Sequence, residues 1–295
     1  MRRWVTAATL GCVAVLALAG CGGPSGVDGD LTDDWPAVAQ PVAFTPAAGT
    51  CHETADAESN LDDYAPVDCG QAHRTETFHL GTFTGADAAR TNPPPPASPG
   101  RKAARAECDK QAEGWLAGDW RGGRLSVSVV PPTAAAWSGG ARWFRCDVSE
   151  VGGLDDDEPV TRTGSLKGAL ANGSPLAYGC FNPKIVKDDV DQMVPVPCTS
   201  KHRAEFAGIY RAPDVTQAAF EKNSAQAHKG CSAVIAAFAK VPNNGELKYR
   251  TGLIYFYPGA LQWADGNRGV QCFLWVDRDL TRSMKGAGTK GLPVT

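Results

Sequence analysis

Pro66-Val67-Asp68-Cys69, three further residues and then His73-Arg74-Thr75-Glu76 recur as Pro195-Val196-Pro197-Cys198, three residues and His202-Arg203-Ala204-Glu205. Laying one copy over the other brings the flanking chain into register. Cys51 precedes Cys69 by 18 residues, and Cys180 precedes Cys198 by 18. Downstream, Pro132, Trp137, Gly140, Arg142 and Cys146 return as Pro258, Trp263, Gly266, Arg268 and Cys272 at identical intervals. One cysteine-framed module is used twice.

The 295 residues leave room for two domains of ordinary size. An apolar share of 43% is that of a globular chain. The formal charge of −3 is weak, and it grows more negative once Arg2 and Arg3 leave with a leader. An electrostatic case for nucleic acid is therefore absent. Ten cysteines point to an oxidising compartment.

Met1-Arg2-Arg3 is a short basic start, followed by an almost wholly apolar run from Val5 to Leu18 that is too short to span a bilayer comfortably. It ends in Leu18-Ala19-Gly20-Cys21, which resembles the bacterial lipobox. That motif implies a signal peptide over residues 1–20, cleavage before Cys21 and acyl chains on Cys21. The expected partner of that end is the plasma membrane, on its extracytoplasmic face. Several acyl chains hold a protein on a bilayer far better than one does. Residues 21–48 are rich in Gly, Pro, Ala and Asp and read as a flexible tether.

The modules occupy residues 49–150 and 176–280, with a linker at 151–175 and a polar tail at 281–295 that is expected to fray. Each holds four cysteines: Cys51, Cys69, Cys108 and Cys146, then Cys180, Cys198, Cys231 and Cys272. Four cysteines allow three pairings. The favoured one joins first to second and third to fourth, because the first interval keeps its length in both copies while the second-to-third interval changes. A zinc site is disfavoured, since no C-x-x-C pair occurs and histidines are few. Phe78–Phe83 and Phe206–Tyr210 read as strands, as do Leu125–Val130, Arg142–Val148, Leu253–Tyr257 and Val270–Val276. Between them lies a helix carrying Cys108 or Cys231, the second with Asp214 as its expected N-cap. The predicted class is α+β: two tandem disulfide-stapled repeats, each one helix packed on a small antiparallel sheet.

His73 with Glu76, and His202 with Glu205, are the titratable pairs placed alike in both copies. A metal or acid–base dyad is the sharp reading, but residues three apart point oppositely on a strand, and no third histidine repeats. The expectation is structural: Glu76 pairs with Arg142, Glu205 pairs with Arg268, and each histidine bonds backbone near its cysteine. Trp137 and Trp263 are expected in the core. No G-x-S-x-G elbow and no phosphate-cradling glycine loop occurs. The chain is thus read as no enzyme, without cofactor, metal or catalytic residues.

The lipobox at Cys21, the P-V-x-C-x-x-x-H-R-x-E stretch and the later P-x-x-x-x-W-x-x-G-x-R-x-x-x-C stretch resemble the septum-formation family of actinobacterial lipoproteins and membrane proteins, over roughly residues 49–277. The resemblance implies an extracytoplasmic envelope protein associated with septation, and it supplies no enzymatic residues. The expected function is a lipid-anchored binding or scaffolding protein engaging envelope or division proteins or the cell wall. A cell-wall glycan or small-ligand receptor is the first alternative, and a His/Glu-dependent envelope hydrolase the second.

Overall fold

Residues 44–54, 64–187 and 189–294 are described in a computed structural model; Cys21 and the leader lie outside them. The first repeat contains β1 (Thr50–His52), β2 (Pro66–Val67), β3 (Thr75–Thr82), β4 (Leu125–Val130) and β5 (Trp143–Glu150). The second contains β6 (Cys180–Val186), β7 (Asp189–Val196), β8 (His202–Arg211), β9 (Gly252–Phe256) and β10 (Gly269–Leu280). Each set forms one antiparallel five-stranded sheet, in the orders β2-β1-β3-β5-β4 and β7-β6-β8-β10-β9. The two orders are the same topology, so the sequence repeat is a structural repeat.

The helices are α1 (Gly85–Ala88), α2 (Pro99–Leu116), α3 (Ala134–Ser138), α4 (Gln217–Lys222), α5 (Ser224–Ala239), α6 (Ala260–Ala264) and α7 (Gly288–Gly291). Ser98 caps α2 by accepting from the Arg101 amide, and Pro99 follows at the first turn, where its missing N–H costs nothing. Ala104, Cys108, Ala112 and Leu116 recur every four residues and are buried, as are Ala227, Cys231, Ile235 and Ala239 on α5. The single helix expected after Asp214 is in fact two, broken at Asn223, whose φ of −115° and ψ of 57° leave the helical region. Thr216, not Asp214, caps α4. The Asp214 carboxylate is engaged by Arg268 instead.

Disulfides join Cys51 to Cys69, Cys108 to Cys146, Cys180 to Cys198 and Cys231 to Cys272. In each repeat one bond staples the main helix to the strand beside the last edge strand, β5 or β10, and the other ties the first strand to the loop behind the second. The tail does not fray as expected: Met284 and Leu292 are buried in a cluster with Ile235, Ala239, Leu274 and Leu280. The linker likewise contributes Leu166 to the core of the first repeat.

Both repeats lie in one compact unit. Arg121, on the short 3₁₀ turn Trp120–Gly122, is 3% exposed and reaches across to the second repeat, donating to Asn267 Oδ1 at 2.6 Å. Its other guanidinium nitrogens meet Asp109 and Asp119 of its own repeat. Gln271 donates to the Arg121 carbonyl at 2.9 Å, and Arg101 pairs with Asp265 at 2.8 Å. A buried arginine flanked by two carboxylates holds the two sheets together.

Candidate binding site at the junction of the repeats

The repeated Glu76 and Glu205 do not meet Arg142 and Arg268. Glu76 is 3% exposed and accepts from Ser165 Oγ at 2.7 Å and from the Leu166 amide at 2.8 Å. Glu205 accepts in the same way from Ser283 Oγ and, at 2.7 Å, from the Met284 amide. Each carboxylate therefore anchors an arm that returns from beyond the sheet. The arms share a sequence, Ser165-Leu166-Lys167-Gly168-Ala169 and Ser283-Met284-Lys285-Gly286-Ala287. In both, the serine hydroxyl also accepts from the lysine amide, at 3.1 Å, and the glycine takes a left-handed φ, 72° and 69°. This third repeated motif is the signal that identifies the glutamates' partners.

Arg142 and Arg268 instead close the Trp-x-x-Gly-x-Arg turn. Arg142 stacks at 4.1 Å over the Trp137 ring and Arg268 at 4.6 Å over Trp263. Arg142 also donates to the Ala88, Trp137 and Ala141 carbonyls, at 2.6, 2.7 and 2.7 Å. The turn needs Gly140 and Gly266, with φ of 98° and 102°. Trp137 and Trp263 are 1% and 2% exposed, and their indole N–H groups donate to the Arg90 and Val215 carbonyls at 2.8 Å. They are structural pillars and offer no ring to a ligand.

His73 Nδ1 lies 2.8 Å from the Gln71 carbonyl, and His202 Nδ1 lies 2.8 Å from the Ser200 carbonyl. A carbonyl only accepts, so Nδ1 carries the proton in both rings. Among the described residues no hydrogen bond joins either histidine to its glutamate. One oxygen of Glu76 and the sulfurs of Cys51 and Cys69 lie within 4.8 Å of one another, as do those of Glu205, Cys180 and Cys198. Those sulfurs are bonded to each other, so the groups form a disulfide beside a carboxylate and not a ligand set.

The repeats differ on the sheet face away from α2 and α5. In the first repeat it holds His52, Thr75, Thr77, Asp147 and Ser149; the matching positions in the second are Phe181, Ala204, Phe206, Phe273 and Trp275. Thr77 Oγ1 donates to Asp147 Oδ1 at 2.7 Å and lies 3.2 Å from His52 Nε2. Asp147 also meets Arg145 at 3.0 Å. Burial, with Arg145 and His73 nearby, lowers the His52 pKa to about 4, so its imidazole is neutral near pH 7. Burial raises that of Asp147. In a nucleophilic triad the imidazole stands between acid and hydroxyl. Here the hydroxyl stands between, its proton given to the carboxylate, and Thr77 is fully buried. The order serves packing.

The aromatic face of the second repeat opens where the repeats meet. A cavity of about 620 Å³ is lined by Arg124, Asp155, Tyr178, Phe181, Gln192 and Met193, among others. A second, of about 250 Å³, adjoins it through Gly153, Leu154 and Tyr178 and reaches Trp120, Phe256, Tyr257 and Gln262. Tyr178 stands between the two, its ring 5.7 Å from Phe206 and 6.1 Å from Phe181. Its phenol is held protonated, the pKa pushed up to about 12 by burial against the opposing pull of Arg124 and of a hydrogen bond with Gln271. The result is an aromatic groove edged by amides and carboxylates, suited to hold a neutral, hydroxyl-bearing or extended ligand. Neither Tyr178 nor the groove repeats, so no internal symmetry marked them in the sequence.

Residues 48–272 match the model of a protein family described as septum formation. No curated protein and no solved structure matches the chain.

Proposed function

The chain belongs to the septum-formation family, and from that premise we propose that it is a lipid-anchored, extracytoplasmic, non-enzymatic binding or scaffolding protein of the cell envelope. The groove at the junction carries this reading. It is the product of two repeats locked by Arg121, and its walls come from both. Four disulfides and the Cys21 motif support placement on the extracytoplasmic face of the plasma membrane. The partner is an envelope or division protein. A photo-crosslinker at Gln192 or Gln262, used in intact cells, is expected to trap that partner, while one at exposed Lys110, on α2 and outside both cavities, does not. Equal labelling from all three sites would refute the reading. Cys21→Ser should release the protein from the membrane fraction.

A glycan receptor is the second reading, favoured by Tyr178, Phe256 and Tyr257 beside Gln192, Gln262 and Asp155. It predicts a change in tryptophan and tyrosine fluorescence on titration with cell-wall glycan fragments, lost in Tyr178→Ala. No change across those fragments would exclude it.

A further inference from the structure

The two sheets present four edge strands, and three are guarded. β2 is two residues long and contains Pro66. β7 carries Asp189, Asp191 and Pro195, and its Met193 amide is occupied by Asp155 at 2.9 Å. On β4, Arg105 donates to the Val127 carbonyl at 2.7 Å and Arg101 to the Val129 carbonyl at 3.1 Å. These carbonyls face outward, since the Arg124 carbonyl, three residues before Val127, is the one that accepts from Val151 on the β5 side.

β9 has no such protection. It reads Gly252-Leu253-Ile254-Tyr255-Phe256, without a charge or a proline. Leu253 and Tyr255 occupy the positions of Val127 and Val129 opposite Leu274 and Cys272. The positions of Arg101 and Arg105 hold Ser224 and His228, counted from Cys108 and Cys231. Among the described residues, the N–H and C=O groups of Leu253 and Tyr255 find no partner. All five residues of β9 are partly exposed, and the more exposed Tyr257 and Leu261 lie just beyond it. An apolar edge with open backbone groups is a template for another strand.

We propose that β9 is a homodimer surface, pairing antiparallel with β9 of a second copy about a two-fold axis at Ile254. That register sets Leu253 against Tyr255 of the other chain, twice, so that all the outward backbone groups of both residues are satisfied. Gly252 falls opposite Phe256, an aromatic beside a position that has no Cβ, and no like charges face one another along the strand. The two five-stranded sheets become one sheet that runs through both copies. The occupant is a copy of this chain because the strand is complementary to itself in this register, whereas no charge on it selects a different partner.

The test uses the full chain in membranes. Ile254→Cys places two thiols directly opposite at the axis, where Cβ atoms of such a pair stand about 4.5–5.5 Å apart. Mild oxidation is expected to give a disulfide-linked dimer, which the same change at exposed Lys184 does not. Leu253→Pro and Tyr255→Pro each remove an outward donor while sparing the β10 ladder. Either should lower the cross-linked yield by about tenfold, because one bond is lost together with its mirror image. A readout that needs no variant guards against misfolding: in the detergent-solubilised wild-type chain, amide exchange at Leu253 and Tyr255 slows as concentration rises. Dimers that survive both prolines, Ile254→Cys adducts with a different protein, or exchange independent of concentration would each overturn the proposal.

Discussion

Glu205→Gln tests the internal architecture most directly. The native carboxylate accepts from Ser283 Oγ and from the Met284 amide while 4% exposed. Glutamine keeps the shape and one acceptor oxygen but turns an N–H₂ toward one of these donors. A hydrogen bond to a charged group is worth about 1.5–3 kcal/mol, and a buried donor left unpaired adds about 1–3 kcal/mol. The expected loss is about 3 kcal/mol, with the arm that buries Met284 and Leu292 loosened first. Urea unfolding of the disulfide-intact chain, followed by tryptophan fluorescence, measures the total. A double-mutant cycle assigns it: Glu205→Gln and Ser283→Ala should couple by about 1 kcal/mol or more, whereas Glu205→Gln and Arg268→Gln should add within about 0.5 kcal/mol. Coupling to Arg268 with none to Ser283 would refute the anchor and restore the ion pair that the sequence alone suggests.

Arg268→Lys should cost about 1–2 kcal/mol, because a lysine cannot both stack on Trp263 and fork to the Trp263 and Asn267 carbonyls; indole fluorescence and urea midpoint report it. Arg121→Met removes the buried cation between Asp109 and Asp119, which keep Arg105 and Arg211, and should cost about 3 kcal/mol, with hydrogen exchange rising first at the junction residues Asn267 to Gln271. The His52 pKa lies below its ordinary 6.5, at about 4, so between those values the unfolded chain binds the extra proton. Stability contributed at His52 is therefore lost as pH falls from about 6.5 to about 4. Asp147, its pKa raised, acts in the opposite sense. His52→Phe, which copies Phe181 of the second repeat, should flatten that window in thermal melts at stepped pH; an unchanged profile would count against the buried neutral imidazole.

The cysteine frame, three strands and the main helix of each repeat and the α+β class are legible in the sequence, because a covalent bond or a tight turn keeps its spacing when loops drift. The partners of Glu76 and Glu205 are legible only in retrospect. Ser165 follows Cys146 by 19 residues and Ser283 follows Cys272 by 11, so the shared Ser-x-Lys-Gly-Ala motif falls out of the register that reveals the rest. Charge complementarity is visible in a sequence and suggests the arginine pairing, whereas a serine hydroxyl and a main-chain amide are not distinctive. Pro183 and Pro195 hide the β6–β7 hairpin, because proline argues against a strand that is not an edge. The polar, Gly-rich tail reads as one that frays because Met284 sits between Ser283 and Lys285 and Leu292 follows Lys290 and Gly291, with no periodic apolar pattern between them. Their burial depends on an anchor 79 residues away.

The bond from Cys51 to Cys69 has a mechanical consequence. Cys51 lies in the strand with which the described first repeat opens, two residues after Gly49. Tension applied from the amino-terminal side meets this cystine almost at once. The load then passes through sulfur to Cys69, and the loop between them is short-circuited. A protease that nicks that loop severs peptide without parting the two ends, and a pull strong enough to peel strands must first work against Cys69 and the Glu76 anchor just behind it.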